Sequence, residues 1–343
     1  MQQADYIKEI AKYGLENDQE KLLFTLNELI EHSKQSRKVN FALQLQSILK
    51  DAIRQQETKG ILRHGSSKYA IREEDREVAD FILEKLTSDY KFDNLVCEKS
   101  VREHLEYFVQ EHRSIDILRK YDLPVSNKVL FYGPSGCGKT LAAYVLAGEL
   151  EKMMIVINLG AIVSSKLGET SKNLAKIFRR AATEDCIIFL DEFDTLGKVR
   201  DYGQDHGEMK RVVNTILQLF DYLPQSSIVI AATNQQDRID EALLRRFDLS
   251  VQLELPNESQ IRELIDRTIR DSPFKFDNLA KSKKIIKASL GLSYYSVQKT
   301  LLTAIKRSLF SQQPSLGKIQ TIQTDIWASL VDQERTHLLK STD

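Results

Sequence analysis

The stretch Gly133-Pro134-Ser135-Gly136-Cys137-Gly138-Lys139-Thr140 lies between an apolar run, Lys128 to Tyr132 (KVLFY), and a helix-forming segment, Leu141 to Leu150. It satisfies the pattern G-x-x-x-x-G-K-[ST] in the strand-then-helix context that gives this pattern its meaning. A chance match in a glycine-containing turn would lack both flanks. Glycines let the backbone wrap closely around phosphate oxygens, while loop amides and a helix N-terminus supply positive potential. Lys139 then reaches the β- and γ-phosphates, and the Thr140 hydroxyl serves Mg²⁺. The predicted nucleotide-binding residues are therefore Gly133, Pro134, Ser135, Gly136, Cys137, Gly138, Lys139, Thr140 and Leu141, with Cys137 as filler and not a nucleophile.

From about Tyr90, short apolar runs alternate with helical stretches. Besides KVLFY, strands buried on both faces are expected at Met154 to Asn158 (MIVIN), Cys186 to Leu190 (CIIFL) and Ile228 to Ala232 (IVIAA), with another at Leu249 to Glu254. This alternation predicts an α/β fold: a mostly parallel sheet wrapped by helices on both faces. Past Pro256 the strands mostly stop. Asn257 with Gln260 matches a capping box, and Ser293 opens a helix carrying Val297, Leu301, Ala304 and Ile305, so residues 256–343 are expected to form a small helical domain.

Ahead of the sheet, residues 1–60 are expected to be an all-α domain of three helices. Their apolar faces carry Ile7, Ile10 and Ala11, then Leu22, Leu26, Leu29 and Ile30, then Phe41, Leu45, Ile48 and Ala52. Such an appendage serves either as a scaffold or as a docking site for partners. Gly60 to Ser67 has the composition of a linker, and Glu73 to Thr87 returns to helical periodicity, placing linker and helix at 61–87 and the α/β core at 88–255.

With 343 residues, two or three domains are expected. Lys+Arg and Asp+Glu both count 49, which gives no electrostatic reason for bulk attraction to nucleic acid or to an anionic membrane. Cys97, Cys137 and Cys186 are too few and scattered for a disulfide framework or a zinc site. No window approaches the ~20 apolar residues of a membrane span, and the first twenty residues lack the pattern of a secretory signal. A cytoplasmic location is expected. No H-E-x-x-H or G-x-S-x-G signature places a peptidase within the chain.

A second motif runs from Cys186 to Asp194 (CIIFLDEFD). An apolar strand ending in two acids delivers both carboxylates to the C-terminal edge of the sheet, beside the phosphate loop, where ligands bind in such folds. Asp191 is expected to hold Mg²⁺ through water, and Glu192 to orient and polarise the water that attacks the γ-phosphate.

Together with Ala231-Ala232-Thr233-Asn234 at a strand end and Asp240 to Asp248 (DEALLRRFD), these motifs resemble those of the AAA ATPase family, within the AAA+ superfamily of P-loop NTPases. The resemblance covers the chain from about Tyr90 to its end. It implies that Asn234 positions the lytic water and that Arg246 is an arginine finger reaching the γ-phosphate of an adjacent subunit, with Arg245 as the alternative. It also implies a homo-oligomeric, hexameric ring and a nucleotide held between core and helical lid. Lys91 to Leu95 (KFDNL) resembles the segment near the adenine, and Gly291-Leu292-Ser293-Tyr294 the lid turn. Tyr295 stands where many AAA+ relatives keep a second sensor arginine, and Lys299 is expected to be a solvated helix residue. In Ser165-Lys166-Leu167-Gly168-Glu169, Lys166 replaces the aromatic residue that relatives use to grip threaded polypeptide. A second pore-facing loop is expected in Lys198 to Gly207, with Tyr202 and His206.

The leading expectation is a hexameric ATPase that remodels or regulates a protein partner, including a separate serine protease, using Mg-ATP. The alternatives are a nucleotide-gated binding switch that does not thread, and a nucleic-acid motor or loader supported by Lys281, Lys283, Lys284 and Lys287.

Overall fold

The computed structural model describes residues 3–15, 19–35, 45, 81–160, 167–195, 206–270, 272–311 and 320–340. Helices α1 (Gln3–Leu15) and α2 (Gln19–Gln35) pack against each other, burying Leu29 and Ile30 and bringing the Tyr6 and His32 rings within 5.6 Å. Tyr6, not Ile7, turns inward: Tyr6 is 7% exposed and Ile7 55%. The aromatic ring offers the larger apolar area to the partner helix. Apart from Leu45, the third expected helix and the linker lie outside the described residues.

A strand, β1 (Ile82–Leu86), stands where the tail of a helix over Glu73 to Thr87 is expected. It pairs antiparallel with β3 (Met154–Ile157), Ile82 opposite Ile157 and Leu86 opposite Met154, so the sheet begins ahead of Ser88. Without β1, β3 would present an unpaired row of backbone donors and acceptors, and pairing there overrides the weak local periodicity.

The other core strands follow expectation closely. β2 (Lys128–Tyr132), β4 (Ile187–Leu190), β5 (Ile228–Thr233) and β6 (Leu249–Gln252) are parallel to one another and to β3, in the order β1-β3-β4-β5-β2-β6. Alternate residues of each strand enter different cores, which is how both faces come to be covered. Leu130, Ile188, Leu190 and Val229 pack with residues of α6 (Leu167–Glu184) and α7 (His206–Asp221). Val129, Phe131, Phe189 and Ile230 pack on the other side with α3 (Lys99–Arg113) and α5 (Lys139–Leu150), α4 being the short helix Ile115–Lys120 between those two. A single turn, α8 (Glu241–Leu244), capped by the Asp240 side chain, leads into β6.

Beyond β6 a third core forms among α9 (Glu258–Ile269), α10 (Leu279–Ala288), α11 (Tyr294–Ser311) and α12 (Thr324–Lys340). The capping box is present: Asn257 accepts from the Gln260 amide, and the Gln260 side chain accepts from the Asn257 amide. A small parallel pair, β7 (Phe274–Phe276) and β8 (Gln320–Ile322), interrupts the helices and stacks Phe276 on the fully buried Trp327, centroids 5.2 Å apart. Lys281 is paired with Asp325 and Lys299 with Glu334, so neither stands as an unpaired cation. Among the described residues, no helix is long and apolar enough to cross a membrane.

Candidate nucleotide site

Three neighbouring strands, β4, β5 and β2, end together, Leu190 being paired with Ala231 and Tyr132 with Thr233. Their C-terminal ends therefore bring the 133–140 loop, Asp191-Glu192 and Asn234 to one edge of the sheet. Strands in a sheet lie about 4.8 Å apart, so functional groups on adjacent strand ends share a site without further adjustment.

The loop's shape depends on its glycines. At Gly133, φ is 134°, and a Cβ would lie 2.1 Å from the Leu253 carbonyl oxygen. At Gly136, φ is 74°, and a Cβ would come within 2.6 Å of Ser293 Oγ in the lid turn. The loop then enters α5, whose first-turn amides have no helical partners. Lys139 is buried and arches over the loop, its Nζ donating to the Gly133 and Pro134 carbonyls, each at 2.8 Å. Burial is the main influence and holds its ammonium below the ordinary lysine range, with Cys137, Asp191 and Asp194 acting the opposite way. Cys137 points into the core, and burial pushes its thiol up, away from nucleophilic reactivity.

In the first turn of the helix, Thr140 Oγ1 donates to Asp191 Oδ2 at 3.1 Å. Oxygen donors from two elements, one of them a carboxylate, meet beside the phosphate loop, which suits a hard divalent cation such as Mg²⁺. Asp191 Oδ1 also accepts from the Glu192 amide at 2.9 Å, and Glu192 sits at φ 51°. This left-handed turn directs the chain away from the strand and leaves Glu192 exposed at the edge. Asn234, one residue past β5, is exposed on the same edge.

Not every singled-out residue gathers there. Arg246 precedes β6, whereas the loop follows β2, and the two strands are parallel with Val129 opposite Leu249. Arg246 thus lies at the opposite end of the sheet from its own loop, a strand length of about 13 Å or more away. Its guanidinium pairs with Asp221 at 3.1 Å, and Arg245 pairs with Glu241. Lys166 and Tyr202 lie outside the described residues, as do the side chains of Leu167 and His206.

Other residues of the same motifs tie the site together. Buried Asp194 accepts from Thr233 Oγ1 at 3.3 Å, tying the acidic turn to β5, and the Phe193 amide donates to the Ala232 carbonyl at 2.8 Å. The lid touches the loop directly: the Tyr295 amide donates to the Gly136 carbonyl at 3.1 Å. Tyr294 is partly buried against the core that contains Leu95 and Cys137, and burial raises its phenol well above the usual tyrosine range.

Residues 129–255 match the model of the AAA family, "ATPase family associated with various cellular activities". The chain is 33% identical over 257 residues to an uncharacterised AAA family ATPase of Sinorhizobium fredii, covering 75% of each protein. It is 30% identical over 194 residues to a protein of Methanocaldococcus jannaschii named only as a homolog of a 26S proteasome regulatory subunit, covering 55% of this chain and 52% of that one. Among solved structures, the AAA domain of FIGL-1 superposes with a TM-score of 0.61 at 17% identity, covering 78% of this chain and 92% of that domain.

Proposed function

Because the chain belongs to the AAA family of ATPases, we propose that it hydrolyses ATP between core and lid, completing each site with an arginine from a neighbouring copy. The observation that carries this is the meeting of Thr140 Oγ1 and Asp191 Oδ2 at 3.1 Å beside a loop arched over by Lys139. Loop amides and the α5 N-terminus hold the phosphates, and Lys139 exchanges its two loop carbonyls for β- and γ-phosphate oxygens. Thr140, and Asp191 through water, would hold Mg²⁺, which when bound neutralises charge on the phosphate oxygens. Glu192, exposed and turned off the strand end, orients and polarises the attacking water, and Asn234 holds that water from the adjacent strand.

Arg246 lies at the wrong end of the sheet to serve its own loop. A guanidinium there is suited to a γ-phosphate held by the next subunit of a ring, which we propose to be hexameric. On this basis isolated copies turn over slowly, and assembly switches hydrolysis on.

The cycle would drive remodelling or regulation of a protein partner, such as a separate serine protease, in the cytoplasm, with residues 1–60 as the docking domain. The name of the Methanocaldococcus jannaschii relative, a homolog of a proteasome regulatory subunit, supports a protein client. A nucleotide-gated switch that holds and releases its partner without threading is favoured by one feature, Lys166 in place of a gripping aromatic. Nucleic acid is the least supported client, since the charge balance is zero and Lys281 is engaged by Asp325.

Phosphate release and binding of a fluorescent ATP analogue test the assignment in three proteins. Wild type should bind and turn over, Lys139→Ala should do neither, and Glu192→Gln should bind but hydrolyse at least about 100-fold more slowly. Undiminished turnover in Glu192→Gln would remove that residue from the mechanism.

A further inference from the structure

Two walls flank the phosphate loop. On one side Ser293 and Tyr295 of the lid stand against Gly136; on the other, Leu95 Cδ1 lies 3.7 Å from where a Cβ on Gly138 would be. Whatever hangs from a triphosphate on this loop must leave between them. The Leu95 wall begins as a short turn, Phe92–Asn94, anchored to α5: Lys91 Nζ donates to the Gly148 carbonyl at 2.6 Å, and the Phe92 amide to Glu149 Oε1 at 3.0 Å.

Two guanidiniums converge on the carbonyls of this wall from different parts of the molecule. Arg102, on core helix α3, donates to the Phe92 carbonyl at 2.6 Å and the Leu95 carbonyl at 3.4 Å, and lies 5.4 Å from the centre of the Phe92 ring. Arg267, on lid helix α9, donates to the Asp93 carbonyl and, at 3.4 Å, to the same Leu95 carbonyl. Glu263, one turn earlier on α9, accepts from the other Arg267 nitrogen at 2.6 Å and fixes the fork. In each arginine a single guanidinium nitrogen serves two carbonyls, and in Arg267 the second nitrogen is held by Glu263, a two-ended grip that a lysine ammonium, acting from a single point, does not reproduce.

We infer that Arg267 is a positioning residue for the nucleoside half of the substrate. Carried by the lid and gripping the core wall, it sets the width of the slot between Leu95 and the lid turn, with Arg102 holding the wall from behind. It touches neither phosphates nor the attacking water, so its effect falls on recognition of base and ribose. This rests on the proposal above that a triphosphate occupies the loop.

The test is displacement of a fluorescent ATP analogue from the full chain by ATP and, separately, by inorganic triphosphate. Wild type, Arg267→Gln and Arg267→Lys are compared, with nucleotide-free melting curves to confirm folding. Arg267→Gln should weaken ATP by about tenfold, the loss of hydrogen bonds from one charged group, and leave inorganic triphosphate unchanged. Arg267→Lys should fall between Arg267→Gln and wild type. Unchanged ATP affinity in Arg267→Gln would overturn the inference, as would an equal loss for ATP and triphosphate, which would place the effect on the loop or the fold. If wild type bound neither ligand, the nucleotide assignment itself would fail and take this inference with it.

Discussion

The ring of Phe193 meets that of Phe247 edge to face, centroids 5.8 Å apart and planes at 85°. Phe193 follows Glu192, and Phe247 follows Arg246, so one aromatic contact joins the turn bearing the Glu192 carboxylate to the turn bearing Arg246. Phe220 extends the contact, its ring 5.5 Å from Phe247, and the next residue, Asp221, is the ion partner of Arg246. Phe247→Ala is expected to cost about 3–5 kcal/mol, the range for truncating a buried Phe, as read by chemical denaturation. A loss under about 1 kcal/mol would mean that the turn does not depend on this packing.

Gly133→Ala would press a methyl onto the Leu253 carbonyl at 2.1 Å and hold a side chain at φ 134°. The backbone strain alone is about 1–3 kcal/mol, and relief of the clash would move the loop away from β6. A lower melting temperature and weaker binding of the ATP analogue are expected together; wild-type values for both would contradict the described loop.

On the proposed mechanism, Arg246→Ala subunits would keep an intact loop but lend no arginine, while Lys139→Ala subunits would lend the arginine but not hold phosphate. Each alone should lose about two or more orders of magnitude in turnover. Mixtures should recover activity above either parent, measured as phosphate release across mixing ratios. Failure at every ratio would count against action across a subunit interface.

His112, on α3, is half-buried with Nε2 2.7 Å from the Ser126 carbonyl oxygen. Burial is the dominant influence and lowers its pKa below the ordinary 6.5, partly offset by that hydrogen bond. The folded protein therefore takes up this proton less readily than the unfolded chain. The stability tied to neutral His112 is full above pH 6.5 and is lost as pH falls below it, until the folded form also protonates. Melting temperatures between about pH 5 and 7.5 should drop on the acid side, and His112→Gln should flatten that limb. An equally steep limb in His112→Gln would assign the acid sensitivity to other groups.

The parts legible from sequence are those in which one element declares itself. KVLFY is apolar at its centre, and CIIFL and IVIAA throughout, because both faces of those strands are buried, and the glycine pattern marks the loop between β2 and α5. Strand β1 was hidden because Ile82–Leu86 (ILEKL) exposes Leu83 and Glu84 together and shows no alternation. Its strand character comes from β3, which lies over sixty residues further along the chain. Arg102 and Arg267 were equally silent, since they bind main-chain carbonyls, which every residue possesses. Three- and four-residue spacing picks out Ile7, Ile10 and Ala11, whereas the pairing of α1 with α2 selects the Tyr6 ring.

The lid reaches the phosphate loop through the amide of Tyr295 and the carbonyl of Gly136, while Tyr295 as a whole is 63% exposed. A tether made of main-chain atoms is blind to the identity of the residue that supplies it, so nineteen of the twenty amino acids could stand at position 295 and still donate. Proline is the exception, and at the second residue of α11 the helix itself would tolerate it. Tyr295→Pro would remove this main-chain bond between lid and loop and leave the helix wound, while the grip of Arg267 on the Asp93 and Leu95 carbonyls keeps lid and core together.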